Sequence, residues 1–323
     1  MTDKPHPLLT PEQQIKFMKG RGVKFQLMNE ADALMYLQGN NNYFRLRAYR
    51  HGFAKHVGGE NDGRYVDLDF SMLADLATID MHLRYELLEI CLEVEHFSKV
   101  LLLKRAEEAG EDGYSMVADY LASKDMDGDA CTACNPVVAE IDRGKNGPYT
   151  NNLIEHYRSS GYPIWAFLEL IPFGRFNEFW LYCASRWGNK DMKRGFYLLQ
   201  AVKGARNACG HNSCIVNELG AGKPKHPAGY EVRRALGDIG ISQKAAKTKL
   251  SNDRIIHLTS ALYLHQKIAS EGTKRAHARQ LRELLDRMQR HEDWYSKNTQ
   301  ISSFFAYMVK LVDGWYPSDE GED

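Results

Sequence analysis

The sequence lacks the features of a secreted, membrane-spanning or strongly charged protein. Lys and Arg number 42, and Asp and Glu also number 42, so no overall positive charge indicates a nucleic-acid partner. No apolar run approaches the roughly 18 residues that a membrane span needs, and the opening residues lack the charged-then-apolar pattern of a signal peptide. We therefore expect a cytoplasmic protein that does not associate with membranes.

Cysteine is also scarce. Six cysteines are scattered over 323 residues, which is typical of reduced thiols and not of a disulfide framework. Cys131 and Cys134 form a lone CxxC, but no second CxxC and no spaced pair of histidines lies nearby to complete a zinc site. We expect no metal and no cofactor. A zinc-dependent nuclease built on these two cysteines is therefore the least favoured alternative.

Hydrophobic periodicity is helical almost throughout, and no stretch alternates as a strand does. Thr10 and Asn29 are placed to cap two early helices, and Pro163 and Pro172 precede two aromatic ones. The longest periodic run covers 69–108, with an apolar stripe at Leu73, Leu76, Ile79, Leu83, Leu87, Ile90 and Val94. The sequence predicts an all-α fold, with one late helix over 273–295.

Composition divides the chain into three parts. We expect an N-terminal helical region over 1–68, a helical core over 69–219 with a loop-rich insertion near 109–150, and a basic C-terminal helical region over 220–323. Within 190–290 there are twenty Lys or Arg against eight Asp or Glu. This local positive excess suits a polyanionic partner, and it suits solvated helix faces equally well.

One short segment, KGARNACGHNSC at 203–214, gathers a guanidinium, an amide and an imidazole where a helix should end. Arg206 and His211 are five residues apart, so on an ideal helix they lie about 7.5 Å apart along the axis and about 140° apart around it. Gly210 is typical of a helix terminus and would let the imidazole leave the spiral. The spacing alone is also compatible with ordinary surface or capping residues.

These groups are the ones that metal-free cleavage of an RNA backbone requires. Arg206 offers a fixed fork for a phosphate, and His211 offers a proton donor or acceptor near neutral pH. The ribose 2′-hydroxyl is the nucleophile, and a cation stabilises the phosphorane. The reaction benefits from two proton-handling groups, whereas one chain supplies one such set. We therefore expect a homodimer that brings two copies of the segment around one cleft.

Five segments of the chain, in order, carry further motifs: LLTPEQQIKFMKGRG; NNNYFRLRAYRHGF through Asn42, Tyr43, Arg45, Leu46 and Tyr49; IDMHLRYELLEICLEVEHFSK through Asp80, Leu83, Arg84 and Glu95; PIWAFLELIPFG through Pro163, Trp165, Glu169 and Gly174; and ARNACGHNSCIVN. This set resembles the Abi-like (abortive infection) family of the AbiD/AbiF type, whose members resemble HEPN ribonucleases. Asn212 departs from the family, which often has a second histidine there, so no neighbouring imidazole is expected to assist His211.

The resemblance implies an HEPN-like helical bundle and a metal-independent endoribonuclease that acts as an abortive-infection or toxin module. Its products would be a 2′,3′-cyclic phosphate and a 5′-hydroxyl. It implies that Arg206 binds the scissile phosphate, that His211 is the acid or base, and that Asn207 orients one of them or contacts ribose. Glu95, on the neighbouring long helix, is expected to hold Arg206 or His211, and a surface ion pair is its alternative role.

RNA is the expected partner, both as the substrate and as a small structured RNA that restrains the activity. The cations expected to contact it are Lys203, Lys193, Arg194 and Arg45. One alternative stays open at this point. The chain could keep the scaffold without the chemistry, as a catalytically inactive RNA-binding or phage-sensing protein.

Overall fold

The computed structural model describes residues 8–125 and 135–317, and these residues form sixteen α-helices, one 3₁₀-helix and no strand. The prediction of an all-α fold is confirmed. In chain order the elements are α1 (Pro11–Gly20), α2 (Glu30–Gly39), α3 (Tyr43–Leu46), the 3₁₀-helix (Arg47–Arg50), α4 (Phe70–Glu108), α5 (Ser115–Ala122), α6 (Pro136–Asp142), α7 (Asn151–Tyr157), α8 (Ile164–Leu170), α9 (Phe173–Arg186), α10 (Lys190–Gly210), α11 (Tyr230–Asp238), α12 (Gln243–Lys249), α13 (Asp253–Ile268), α14 (Glu271–Gln289), α15 (Glu292–Tyr295) and α16 (Thr299–Trp315).

Side-chain caps explain where the first helices begin. Thr10 caps α1 as predicted, in a capping box whose reciprocal partner is Gln13. Asn29 caps α2, also as predicted. Asp69 caps α4, and its second oxygen accepts a hydrogen bond from the backbone N–H of Gln26 at 2.8 Å. The start of the long helix is thereby fixed to the N-terminal region.

Helix α4 is a single unbroken helix of 39 residues, about 58 Å long. All seven positions of the predicted apolar stripe are buried, at Leu73, Leu76, Ile79, Leu83, Leu87, Ile90 and Val94. Helices α10, α13 and α14 pack along it, so one buried apolar cluster runs through residues of all three predicted regions. The division into 1–68, 69–219 and 220–323 stays a prediction.

Two parts of the chain differ from the expectation. The prediction of one helix over 273–295 is wrong, because α14 ends at Gln289 and α15 begins at Glu292. Between them His291 leaves helical geometry (φ −129°, ψ 40°) and its ring stacks on Trp294 with the centroids 4.0 Å apart. The loop-rich insertion near 109–150 contains two short helices, α5 and α6.

Helix α6 was missed because Gly, Asp and Asn dominate the insertion. It starts where Asn135 accepts hydrogen bonds from the backbone N–H groups of Val137 and Val138, with Pro136 in the first helical position. The predicted CxxC of Cys131 and Cys134 lies outside the described residues.

Helix α10 lies against α4, α9 and α13 at once. Its approach to α13 is close at Gly204, where a Cβ atom would lie 2.5 Å from the ring of His257. Because three helices hold its sides, the C-terminal end of α10 has a fixed position on the surface. No helix within 8–125 or 135–317 combines the length and the hydropathy needed to cross a bilayer.

Candidate active site at the end of helix α10

The segment that holds Arg206, Asn207 and His211 forms the last turn and the cap of α10. The helix ends at Gly210, and His211 is the capping residue, with its backbone N–H donating to the Asn207 carbonyl at 2.9 Å. Asn212 then adopts a left-handed conformation with φ +59°. Asparagine is one of the few non-glycine residues that tolerates this region. The chain therefore turns sharply just after the imidazole.

Two backbone hydrogen bonds close this turn. The N–H of Asn212 donates to the Cys209 carbonyl at 2.9 Å, and the N–H of Ser213 donates to the Ala208 carbonyl at 2.8 Å. This pair is the Schellman arrangement that satisfies the last carbonyls of a helix. Gly210, His211, Asn212 and Ser213 are all exposed. As expected, His211 thus stands at the point where the chain leaves the helix.

A buried carboxylate fastens the chain that follows. Asp80 of α4 is 0% exposed, and one of its oxygens accepts hydrogen bonds from the backbone N–H groups of Ile215 and Val216, both at 2.7 Å. Its other oxygen accepts from the Tyr49 hydroxyl at 2.9 Å and from the Arg84 guanidinium. Asp80 therefore connects α4 and the 3₁₀-helix to the residues just beyond His211.

Arg45 fastens the turn from the outside. Its guanidinium donates to the Asn212 carbonyl at 2.7 Å and to the Asn212 side-chain oxygen at 3.4 Å, and it lies 3.8 Å from Asp80. The side chain is 20% exposed. The expected contact of Arg45 with RNA stays a prediction, and in the structure its guanidinium engages the turn at Asn212. Its hydrogen bonds make it a positioning residue for the loop after His211.

Arg206 is half-buried, and the positive charge of its guanidinium has almost no compensating partner. Its guanidinium donates to the Asn207 side-chain oxygen at 3.5 Å, the long limit of a hydrogen bond. Among the residues that the structure describes, no carboxylate lies within ion-pair distance of it. A half-buried cation without a neutralising anion is an electrostatic site for one. Asn207, half-buried beside it, is placed to orient the guanidinium.

Glu95 pairs with Lys99 and not with Arg206. Its carboxylate forms an ion pair with Lys99 at 3.3 Å, one turn along α4. Burial raises the pKa of the Cys91 thiol well above its ordinary value, Glu95 raises it further, and the charge of Arg206 lowers it. Glu95 and Arg206 thus flank the same buried thiol. The expected support of Arg206 by Glu95 stays a prediction, and the Lys99 pair is what the geometry provides.

The two cysteines beside the site are not nucleophiles. Burial raises the pKa of Cys209 to about 12, and Cys91 is fully buried. A thiolate is the reactive form of cysteine, so both side chains act as small apolar core residues. By contrast, His211 is exposed, and in the described part of the chain its ring has no hydrogen-bond partner. The imidazole is therefore the accessible proton-handling group of this helix end.

The remaining predicted cations divide into two groups. Lys203 lies one turn before Arg206 and Asn207, and its ammonium group approaches the start of α9, where a Cβ on Gly174 would be 3.2 Å from it. Lys193 and Arg194 are at the opposite end of α10, about 20 Å away along the axis. Of these three cations, the structure therefore brings only Lys203 toward the helix end that carries His211, where Arg45 already contacts Asn212.

Arg194 already has anionic partners. Its guanidinium pairs with Asp191 on the same helix and with Glu231 of α11 at 3.4 Å. Lys193 is exposed. Both stay predictions as RNA contacts, at a distance from the helix end that only a long substrate could span.

An open groove of about 690 Å³ adjoins the turn on the side of α2 and α4. Arg45 and Asn212 form its edge next to His211, and Tyr85, which is 58% exposed, lies on its α4 wall. Asn40, Asn41 and Asn42 line the opposite side. The groove thus combines positive charge, amide groups and an exposed aromatic ring, and it includes Asn212, the residue that follows His211.

Sequence patterns did not reveal the role of Asp80 or the position of the groove. Asp80 was part of a motif, but its partners Ile215 and Val216 are 135 and 136 residues away in the chain. A buried acidic residue inside an apolar stripe was the available signal, since such groups are almost always paired.

One comparison with known proteins gives a match. A protein-family model described as Abi-like protein matches residues 36–217, more than half of the chain. The match contains Arg45, Asp80, Arg206 and His211 and excludes the opening helix motif. No curated protein and no solved structure matches the chain.

Proposed function

The chain belongs to the Abi-like family, which is associated with abortive-infection defence against phage, and on that premise we propose that it is a metal-independent endoribonuclease. Its catalytic groups are Arg206 and His211. One observation carries the proposal: a half-buried guanidinium with no anionic partner among the described residues lies five residues before an exposed imidazole, on a helix end fixed by Asp80. These are the groups that transesterification of an RNA phosphodiester needs.

In the proposed reaction the ribose 2′-oxygen attacks the adjacent phosphorus while a base takes its proton. The bond from phosphorus to the 5′-oxygen breaks, and an acid returns a proton to that oxygen. The products are a 2′,3′-cyclic phosphate and a 5′-hydroxyl, with no water consumed. Arg206 stabilises the extra negative charge on the phosphorane oxygens, and His211 acts as the acid or the base. Asn207 orients the guanidinium.

The path of the substrate follows from the surroundings of the turn. Phosphates on one side of the cut lie near Lys203, and nucleotides on the other side enter the groove beside Asn212. Tyr85 offers an aromatic face on which a base can stack, which adds affinity with little sequence preference. The proposed substrate is therefore single-stranded RNA, because its bases are free to stack.

A homodimer completes the proposed site. Each chain supplies one His211, whereas one proton is removed and another delivered in the reaction. Two chains related by a two-fold axis would place two imidazoles and two guanidiniums around one phosphodiester. We also propose that a small structured RNA bound to the basic surface of 190–290 restrains the activity, since phosphate contacts give sequence-tolerant affinity.

The test is cleavage of labelled RNA in excess EDTA by the purified chain and by four variants. Arg206→Ala and His211→Ala should lose cleavage by at least about 1000-fold while still binding RNA. Arg158→Ala is the control for the arginine, since it is exposed, pairs with Asp142 and is not among the expected RNA contacts. His226→Ala is the control for the histidine, because it is exposed in the connection before α11.

Two results decide the proposal. If His211→Ala and Arg206→Ala cut as the parent does, the catalytic assignment is wrong. If the parent never cuts yet binds RNA with a steep salt dependence, the chain is an RNA-binding protein on the same scaffold. The association state is measured separately by light scattering, and a cleavage rate per chain that is constant well below the dimer dissociation constant would contradict the shared site.

A further inference from the structure

A second cluster of polar side chains lies away from the helix end, in the core between α4, α13 and α14. Glu93 of α4, His265 of α13 and His277 of α14 place their ligand atoms within 4.8 Å of one another. His265 is 0% exposed and His277 is 3% exposed, while Glu93 is 34% exposed and reaches the surface. Nothing in the proposed RNA chemistry uses these residues.

Both imidazoles point at one atom. The Nε2 of His265 lies 2.7 Å from Oε2 of Glu93, and the Nε2 of His277 lies 2.9 Å from the same oxygen. The two rings are nearly perpendicular, with the centroids 4.9 Å apart. Three atoms that can act as ligands to a metal ion therefore converge at the junction of three helices.

The outer nitrogens of the two rings are already engaged. The Nδ1 of His277 lies 2.5 Å from a Glu86 oxygen, and the Nδ1 of His265 lies 2.9 Å from the Tyr316 hydroxyl. Tyr316 donates its single proton to the Leu262 carbonyl at 3.1 Å. When the hydroxyl donates to this carbonyl, its oxygen accepts from His265, and the proton of that ring is then on Nδ1.

This tautomer has a consequence for the inner nitrogen. With its proton on Nδ1, the neutral His265 ring directs the lone pair of Nε2 at Oε2 of Glu93, which is also an acceptor. His277 has the same arrangement when its Nδ1 donates to Glu86. In this tautomer the lone pairs converge from three sides, and either a metal ion or protons on the inner nitrogens would satisfy them. An outer carboxylate or hydroxyl that orients a histidine through Nδ1 is the usual surrounding of a metal-bound imidazole.

We propose that Glu93, His265 and His277 bind one divalent transition-metal ion, with Zn²⁺ as the best fit. Two imidazoles favour zinc and its neighbours over Mg²⁺ or Ca²⁺, which prefer oxygen ligands. At zinc–ligand distances near 2.0–2.1 Å, tetrahedral donors lie about 3.3 Å apart. The two imidazole nitrogens, now 2.7 and 2.9 Å from Oε2 of Glu93, must therefore each move about half an ångström away from that oxygen. A water molecule or the second oxygen of Glu93 completes the coordination.

The site would act as a structural crosslink. Glu93 and His265 are 172 residues apart in the chain, and the third ligand comes from the next helix. An ion at their junction would clamp α13 and α14 onto α4, the helix that also carries Asp80. Its removal should therefore lower stability. The proposed cleavage chemistry does not involve it, and EDTA in a short assay should not stop cleavage.

The experiment uses the full chain with an affinity tag that contains no histidine. After gel filtration, elemental analysis should give about one zinc per chain. Stripping with a chelator should lower the Tm, and Zn²⁺ but not Mg²⁺ should restore it. Glu93→Gln should lose the metal, while Glu86→Gln should weaken binding about 10- to 100-fold by releasing the outer hydrogen bond of His277. Glu107→Gln, exposed on the same helix, is the matched control.

A second readout covers the case in which the variants fail to fold. The stripped parent chain, checked by circular dichroism, is titrated with Co²⁺, and visible absorption typical of tetrahedral coordination is expected at about one equivalent. The proposal is overturned if no metal is bound, Zn²⁺ does not change the Tm and this absorption does not appear. The cluster would then be held by protons alone. This outcome is independent of RNA cleavage, which is measured separately in EDTA.

Discussion

The carboxylate of Asp80 accepts the backbone N–H of Ile215 at 2.7 Å, across 135 residues of sequence. This bond and its twin from Val216 fix the chain four and five residues beyond His211 to the longest helix of the fold. A helix end is ordinarily the part of a helix that frays. Here the buried Asp80 carboxylate and the hydrogen bonds from Arg45 to Asn212 hold the helix end, so the exposed imidazole has a rigid base.

Asp80→Asn should destabilise the fold strongly. The change removes the charge that Arg84 and two backbone N–H groups face in the core, so the free energy of unfolding should fall by about 3–5 kcal/mol. Tyr49→Phe removes one neutral donor to the same carboxylate and should cost about 1 kcal/mol. Urea denaturation measures both. Equal small losses would show that Asp80 is not the fastening point.

Arg45→Lys should separate a positioning role from an RNA contact. Lysine keeps the charge but cannot make the two-point contact with Asn212, so kcat for RNA cleavage should fall about 10- to 100-fold with KM nearly unchanged. Arg47→Lys, exposed on the next element, is the control. A loss confined to KM, with an altered salt dependence of binding, would instead identify Arg45 as an RNA ligand.

Gly204→Ala should destabilise the protein although alanine favours helices. The new Cβ would lie 2.5 Å from the ring of His257, so either this buried ring or the two helices α10 and α13 must shift. Overpacking of this kind costs about 1–3 kcal/mol, against a propensity gain of about 1 kcal/mol. Gly210→Ala in the same helix meets nothing within 4 Å and should be neutral or stabilising. Thermal unfolding of the two variants compares them directly, and the opposite order would refute the close contact.

His257 should make stability depend on pH. Burial lowers the pKa of His257, with Asp253 raising it and Arg254 lowering it by smaller amounts. The folded state then binds this proton less readily than the unfolded state, so stability is complete above about pH 6.5 and falls as the pH drops below that value. His257→Gln should remove this part of the slope between about pH 7.5 and about pH 5.5. An unchanged slope in urea denaturation would contradict the assignment.

Local patterns in the sequence were enough to predict much of the fold. The stripe from Leu73 to Val94 predicted the buried face of α4, and Thr10 and Asn29 predicted two helix starts, because periodicity and capping are properties of neighbouring residues. The break at His291 was missed, since it depends on a ring contact with Trp294 that periodicity does not report.

The site was predictable only in part, for a related reason. The composition around Gly210 predicted that His211 would leave the helix, and the cap geometry agrees. Which cations are free could not be predicted, because it depends on partners distant in sequence. Arg194 pairs with Glu231 and Arg45 with the turn at Asn212, whereas Arg206 has no carboxylate partner among the described residues.

The most direct test of the central claim is mass spectrometry of the RNA fragments formed in excess EDTA by the parent chain and by His211→Ala. The account predicts fragments that end in a 2′,3′-cyclic phosphate, paired with fragments that begin with a 5′-hydroxyl, and almost none from the variant. Fragments with 3′-hydroxyl and 5′-phosphate ends, or cyclic phosphates formed equally fast by His211→Ala, would contradict it.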